Sequence, residues 1–250
     1  KIDEAIEALS EAISLKPDYA EAYNNMGNAL KDKDLLEKAI EAYNKALLLD
    51  PNFAEAYFNL GVTLQHQDKL DEAIEAYTKA LSLKADYAEA YNNMGNALKD
   101  KSQLNEAIAA YKKALLIKPN YAEAYNNMGN AFKNKDQLEK AIEAYKKALS
   151  LEPHYADAFN NIGVIYQDQG KLDDAIEAYN KSIILKPDYA EAYNNIGSAL
   201  KDQNKIQEAI EDYNKSISIK PDYPEAYYNM GVTFQYQIAL NQAIEAYKKA

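Results

Sequence analysis

The sequence predicts an all-α protein, a right-handed superhelical solenoid of antiparallel helix pairs. Two observations lead to this prediction. Apolar residues recur with helical spacing in two separate stretches of each unit of sequence. Seven of the eight glycines also recur every 34 residues, and a fixed period of this size is typical of stacked supersecondary units. These glycines are Gly27, Gly61, Gly95, Gly129, Gly163, Gly197 and Gly231.

The repeat divides the whole chain. With Ala20 as position 1, six complete units follow one another, and a truncated seventh unit covers residues 224–250. Residues 1–19 match the second half of a unit. The complete units are 20–53, 54–87, 88–121, 122–155, 156–189 and 190–223.

Each unit is predicted to contain two helices. The first covers positions 1–14, and an acidic capping box (Asp18 with Glu21, Asn52 with Glu55) precedes it. The residue at position 15 is predicted to cap the second helix, which ends before a proline at position 32. Examples of position 15 are Asp34, Asp68, Ser102 and Asp136.

The predicted core pairs large rings with small residues. Tyrosine occupies position 24, as in Tyr43 and Tyr77, while glycine occupies position 8 and alanine position 20. A ring beside a glycine fills the space that the missing side chain leaves, so these columns are interpreted as packing positions.

Composition limits the function classes. The net charge is −11 and no arginine is present, which argues against a nucleic-acid partner. No apolar run is long enough for a membrane span, and no signal peptide precedes the repeats. Cysteine is absent. A cytoplasmic location is favoured, although the sequence does not fix the compartment.

No catalytic constellation is visible in the sequence. The two histidines, His66 and His154, lie far apart and at different repeat positions. The glycines stand singly, so they form no phosphate-binding loop. We therefore expect no enzymatic activity, no metal site and no cofactor.

The unit resembles the tetratricopeptide repeat. The resemblance rests on an aromatic residue at position 4, an aliphatic residue and glycine at 7 and 8, and alanine at 20. An aromatic at 24, a small residue at 27 and proline at 32 complete it, although tyrosine or phenylalanine replaces tryptophan at position 4. The resemblance implies a groove lined by the first helices, in which family members usually bind peptides. It does not extend to the carboxylate clamp of chaperone-binding relatives, because position 2 is acidic here.

An asparagine column is predicted to line this groove. An amide offers a donor and an acceptor, as a peptide bond does, so the column could hold an extended peptide by its backbone. It resembles the asparagine ladder in the repeat domain of O-linked N-acetylglucosamine transferases. The alternative is a family default that contacts only water. The column occupies position 6 of every unit: Asn25, Asn59, Asn93, Asn127, Asn161, Asn195 and Asn229.

Other groove positions are predicted to provide selectivity. Polar units carry asparagine at position 5 and at position 9: Asn24, Asn92 and Asn126, and Asn28, Asn96 and Asn130. Two other units place an apolar pair there, Phe58 with Val62 and Tyr228 with Val232. These pairs either form apolar pockets for a ligand or pack against neighbouring units.

The predicted function is a non-catalytic scaffold that binds a protein or peptide in the groove. Two alternatives stay open: a substrate-recruiting arm of a larger enzyme, such as a glycosyltransferase, and an assembly repeat without a groove ligand. Because the chain begins and stops inside second helices, we expect a fragment of a longer protein. Bare solenoid ends also suggest end-to-end stacking between molecules.

Overall fold

The computed structural model describes the backbone of residues 1–249 and the side chains of residues 1–241. The described residues form fourteen α-helices and no strand. They divide into two compact units, unit 1 with residues 1–135 and unit 2 with residues 136–250. Each unit is described by itself.

Unit 1 contains eight helices joined by short turns. They are α1 (Ile2–Leu15), α2 (Ala20–Asp32), α3 (Leu36–Leu49), α4 (Ala54–His66), α5 (Leu70–Leu83), α6 (Ala88–Asp100), α7 (Leu104–Ile117) and α8 (Ala122–Asn134).

Unit 2 contains six helices. They are α9 (Leu138–Leu151), α10 (Ala156–Asp168), α11 (Leu172–Leu185), α12 (Ala190–Asp202), α13 (Ile206–Ile219) and α14 (Pro224–Lys249). The last of these differs from the prediction, because residues 224–249 form one continuous helix where a helix, a turn and the start of a second helix were expected.

Helix neighbours follow a simple rule within each unit. Every even-numbered helix packs against the odd-numbered helices before and after it, where these belong to the same unit. Successive even-numbered helices also touch, whereas no contact joins successive odd-numbered helices among the described residues of either unit. The even-numbered helices therefore lie on the more closely packed side, and we call their face turned away from the odd-numbered helices the inner face.

The contact between glycine and tyrosine fixes the spacing of five helix pairs that lie within one unit or the other. A Cβ atom built on Gly95 would lie 2.5 Å from Cε1 of Tyr111, and one on Gly61 would lie 2.6 Å from Cε1 of Tyr77. Among the described side chains, the tyrosine rings at position 24 are fully buried: Tyr43, Tyr77, Tyr111, Tyr145, Tyr179 and Tyr213. Since only glycine lets the ring approach the helix backbone this closely, the predicted packing of ring against glycine is confirmed.

The residue at position 15 forms the turn that ends the first helix of each complete repeat, and it does not cap the second helix. Asp34 has a φ of 60°, and its N–H donates to the carbonyl of Lys31 (2.8 Å) while that of Leu35 donates to Leu30 (2.9 Å). This pair of bonds is a Schellman motif, with the left-handed residue directly after the C-cap residue Lys33. The predicted capping role was wrong, because the second helix begins only at position 17. The left-handed residues are Asp34, Asp68, Ser102, Asp136, Gly170 and Asn204.

The predicted capping box is also absent from the described helix starts. The residue before α2 is Tyr19 and that before α4 is Phe53, and neither helix has a side-chain cap. Asp18 and Asn52 each lie one residue too early, inside the turn, for their oxygens to serve as N-caps. The aromatic residue of position 34 occupies the capping position instead.

We expect Gly95→Ala to destabilise the protein and Lys112→Ala, on the exposed side of α7, to leave it nearly unchanged. The first substitution places a methyl group against the buried ring of Tyr111, and overpacking of this kind costs about 1–3 kcal/mol. The second replaces an exposed helical side chain with alanine, and surface substitutions of this kind usually change stability by less than about 0.5 kcal/mol. Chemical unfolding followed by circular dichroism measures both changes, and equal effects would contradict the packing role of the glycine.

Candidate functional site

The asparagine column lies on the inner face and is open to solvent. Asn25 is exposed, and the other position 6 side chains in both units are partly exposed. Positions 2, 6, 9 and 13 share one stripe of each even-numbered helix, because residues three and four apart lie on the same side. The position 6 amides are therefore accessible to solvent, and their contact with a ligand stays a prediction.

Position 5 is placed differently from the prediction. Asn92 is fully buried, and its side chain lies between α6 and α8. The side chains of Asn24 and Asn126 are buried as well. These residues were predicted to select a ligand, but their buried side chains cannot contact one in this structure. The same environment holds Asn160 and Asn194 in unit 2.

The buried asparagine links one repeat to the next. The Nδ2 of Asn127 donates to Oδ1 of Asn92 at 3.1 Å, and Nδ2 of Asn92 donates to Oε1 of Glu123 at 3.1 Å. In unit 2, Asn195 donates to Asn160 at 3.1 Å and Asn160 donates to Glu191 at 3.2 Å. Asn59 and Asn229 bind the preceding position 5 residue in the same way, Asn24 at 3.0 Å and Asn194 at 3.1 Å.

These bonds fix the orientation of the amides on the inner face. A carboxylate accepts hydrogen bonds and donates none, so Asn92 must turn its N–H toward Glu123 and its carbonyl oxygen toward Asn127. Asn127 must then spend one N–H on Asn92. Its second N–H and its carbonyl oxygen remain as donor and acceptor for another molecule.

Position 9 or position 12 accepts the hydroxyl of the buried tyrosine. Tyr111 donates to Oδ1 of Asn96 at 2.7 Å, and Tyr43 donates to Asn28 at 2.9 Å. In repeats with valine at position 9, glutamine at position 12 accepts the tyrosine hydroxyl instead. Tyr77 donates to Gln65 at 3.0 Å, and Tyr179 donates to Gln167 at 2.9 Å. The two kinds of unit, interpreted above as different ligand anchors, thus also satisfy one buried hydroxyl in two ways. Asn130 is partly exposed.

Phe58 takes the place of the position 5 asparagine in its repeat. Its ring lies 4.8 Å from that of Tyr87 and 6.1 Å from that of Tyr77, centroid to centroid. Phe58 and Val62 pack against a buried cluster that includes Leu64 and Tyr77. The structure thus shows the packing alternative for this pair, and ligand contact by their exposed parts stays a prediction.

The second apolar pair is less covered. Tyr228 is 71% exposed on α14, and Val232 is partly buried near Lys201 and Tyr236. The difference from Phe58 arises because no helix follows α14 to cover its position 5 within the described residues.

Carboxylates and phenols line the edge of the inner face. Glu89 forms an ion pair with Lys118 (3.1 Å), whose Nζ also lies 4.5 Å above the ring of Tyr121. Burial, together with the charges of Glu55 and Glu89, raises the pKa of Tyr87 to about 12. In unit 2, Tyr189, Glu191, Lys220, Tyr223 and Glu225 line a cavity of about 480 Å³.

Two negative findings concern only the described part of the chain. No group of three or more histidine, aspartate or glutamate side chains there could hold a metal ion. No helix in that part combines the length and the apolar composition needed to cross a bilayer.

Family comparison identifies the repeat. The TPR repeat model matches residues 1–34, 32–68, 95–136, 129–170 and 197–237, and the tetratricopeptide repeat model matches 54–87 and 156–189. The chain belongs to the tetratricopeptide repeat family. Repeats of this family form protein–protein interaction scaffolds, which are generally non-catalytic, and they bind protein or peptide partners. No curated protein sequence matches the chain significantly.

Solved structures of tetratricopeptide repeat proteins have the same fold. The chain is similar to one in the Cut9–Hcn1 hetero-tetramer of the APC/C, with a TM-score of 0.79, 20% identity, and coverage of 93% of this chain and 46% of the other. YrrB, described as a TPR protein with an unusual peptide-binding site, gives a TM-score of 0.60, 29% identity, and coverage of 75% and 96%. MamA gives a TM-score of 0.60, 32% identity, and coverage of 66% and 97%. The predicted all-α repeat fold is confirmed.

We expect the protein to lose stability as the pH rises from about 10 to about 12. Burial raises the pKa of Tyr43 to about 12, and an unfolded tyrosine has a pKa of about 10. Above pH ~10 the folded state therefore holds more protons than the unfolded state, and the free energy of unfolding falls by up to about 1.4 kcal/mol per pH unit for each such residue. Burial raises the pKa of five further tyrosines, Tyr77, Tyr111, Tyr145, Tyr179 and Tyr213.

Denaturant unfolding at a series of pH values, with tyrosinate absorbance recorded in parallel, measures this effect. Tyr111→Phe provides the control, because it removes one buried hydroxyl and leaves every lysine in place. Its stability should fall less steeply with pH than that of the original protein, and identical slopes would contradict the assignment.

Proposed function

We propose that the protein is a peptide-binding scaffold whose inner face holds an extended polypeptide through the position 6 asparagines. The observation that carries the proposal is the orientation of these amides. Asn127 and Asn195 each donate one N–H to the position 5 asparagine of the preceding repeat. A second N–H and a carbonyl oxygen of each amide are then available to another molecule.

The fixed orientation favours binding. A side chain that is already held by a hydrogen bond loses less conformational entropy when a ligand arrives. Such an amide can pair with a backbone C=O or N–H whatever the ligand's side chains are. The similarity to YrrB, described as having a peptide-binding site, supports this class of ligand.

The charge of the inner face favours a basic peptide. The chain has a net charge of −11, and exposed carboxylates at position 2, such as Glu191 and Glu225, lie beside phenol rings at position 34. A lysine or arginine side chain is attracted to carboxylates and to aromatic faces together. At the cavity of Tyr189 and Tyr223, Lys186 lies 4.4 Å over the first ring and Lys220 lies 4.9 Å over the second. A ligand cation would therefore reach the carboxylates of Glu191 and Glu225 by displacing a lysine from a ring.

Asn93 is the cleanest residue for testing the asparagine ladder. The preceding repeat has Phe58 at position 5, so Asn93→Ala leaves no buried position 5 carbonyl without its donor. The substitution removes only the contacts of Asn93 with Nδ2 of Asn92 (3.4 Å) and with the Tyr77 hydroxyl. Asn127→Ala is the matched control, because it removes the bond to Asn92 as well as the groove amide. The first variant should lose less stability than the second, which should lose about 1 kcal/mol or more.

We expect a binder selected from an array of lysine-containing peptides to lose about fivefold in affinity on Asn93→Ala, since one net hydrogen bond contributes about 1 kcal/mol. N-methylation of the peptide backbone should weaken binding, whereas exchange of an uncharged peptide side chain for alanine should have little effect. Calorimetric titration measures each change. Affinity that is insensitive both to N-methylation and to Asn93→Ala would contradict the proposal.

A further inference from the structure

The last helix lacks the turn that ends every other even-numbered helix. Six residues at position 15 adopt left-handed φ values between 56° and 71°. The corresponding residue of α14 is Ile238, and a β-branched side chain strongly disfavours that region. The helix therefore continues through Ile238 to Lys249.

The continuous helix leaves an open notch at Gly231. In five other repeats a Cβ atom on the position 8 glycine would meet the tyrosine ring of position 24, whereas nothing lies within 4 Å of such an atom on Gly231. Large apolar side chains around the notch are exposed: Tyr227 (49%), Phe234 (43%) and Ile238 (58%). In the other repeats, the second helix covers this face.

The residues that would fill the notch are present in the sequence of α14. Ala243, Ile244 and Tyr247 occupy positions 20, 21 and 24, where every complete repeat has its packing alanine, isoleucine and tyrosine. Tyr247 follows Gly231 by 16 residues, which is about 24 Å along an unbroken helix. The two residues cannot meet within one chain while the helix is continuous.

We propose that two copies of the chain exchange the second half of α14, so that residues 239–249 of each copy pack into the Gly231 notch of the other. In the complete repeats, position 8 faces position 24, so residue 231 of one copy faces residue 247 of its partner. Two antiparallel α14 helices then cross at residue 239, and a two-fold axis relates them, as expected for an isologous dimer.

The composition at the crossing point agrees with this arrangement. Ile238, Ala239 and Leu240 lie next to the two-fold axis, where the other repeats have a polar or glycine turn residue at position 15. An apolar residue suits a helix–helix contact, and Ile238 is 58% exposed in the single chain. The exchange would also bury two tyrosines, each of which contributes about 150–250 Å².

Light scattering after size-exclusion chromatography tests the proposal on the 250-residue chain. We expect twice the chain mass for the original protein and a single-chain mass for Ile238→Gly, because glycine restores the left-handed turn and lets the helix pair close within one chain. Gly231→Leu should also give a single-chain mass, since it fills the notch, and circular dichroism should show that it still folds. A single-chain mass for the original protein, or a dimer that persists in both variants, would overturn the proposal.

Cross-linking distinguishes the exchange from other modes of self-association. The chain has no cysteine, so Gly231→Cys with Tyr247→Cys introduces the only thiols. A short bismaleimide should join two chains, and addition of Ile238→Gly should convert the product into a link within one chain. Gly231→Cys alone should give no cross-link, because the two thiols would lie about 24 Å apart in the dimer. A link between chains for this single variant would indicate another mode, such as end-to-end stacking, and would overturn the exchange.

Discussion

The buried asparagine at position 5 is the constraint on which the inner face depends. Asn92 has no exposed surface, and it lies between two even-numbered helices that must approach closely. An unpaired buried amide would cost about 1–3 kcal/mol, so both ends of its side chain require partners. Glu123 and Asn127 supply them, and both belong to the following repeat. The link between repeats and the orientation of the groove amide are therefore one hydrogen-bond network.

The structure tolerates changes in this network where a compensating residue is present. Phe58 replaces the asparagine and packs against the tilted ring of Tyr87, which substitutes aromatic packing for hydrogen bonding. The buried hydroxyl of Tyr77 also has a substitute partner. Gln65 accepts its hydrogen bond in the repeat where Val62 replaces the asparagine of position 9. Differences between repeats that suggest ligand specificity in the sequence can thus reflect alternative ways to satisfy the same buried group.

Periodicity made the fold and the contact of glycine with tyrosine predictable, since both depend on residues within one repeat. The placement of Asn24 was not predictable in the same way. Positions 5 and 6 are neighbours about 100° apart on a helix, and only the contact with the next repeat decides which of them is buried. An aspartate such as Asp34 at a helix boundary is also ambiguous, because aspartate suits an N-cap and, less often, a left-handed turn. The structure resolves this through its positive φ.

Asn92 holds the groove amide of Asn127 in place through its carbonyl oxygen. Side-chain amide hydrogen exchange, recorded by nuclear magnetic resonance in the original protein and in Asn92→Ala, measures this restraint. We expect faster exchange and loss of a fixed amide orientation at Asn127, with no change at Asn59, whose partner Asn24 is intact. Unchanged exchange at Asn127 in the variant would contradict this role of Asn92.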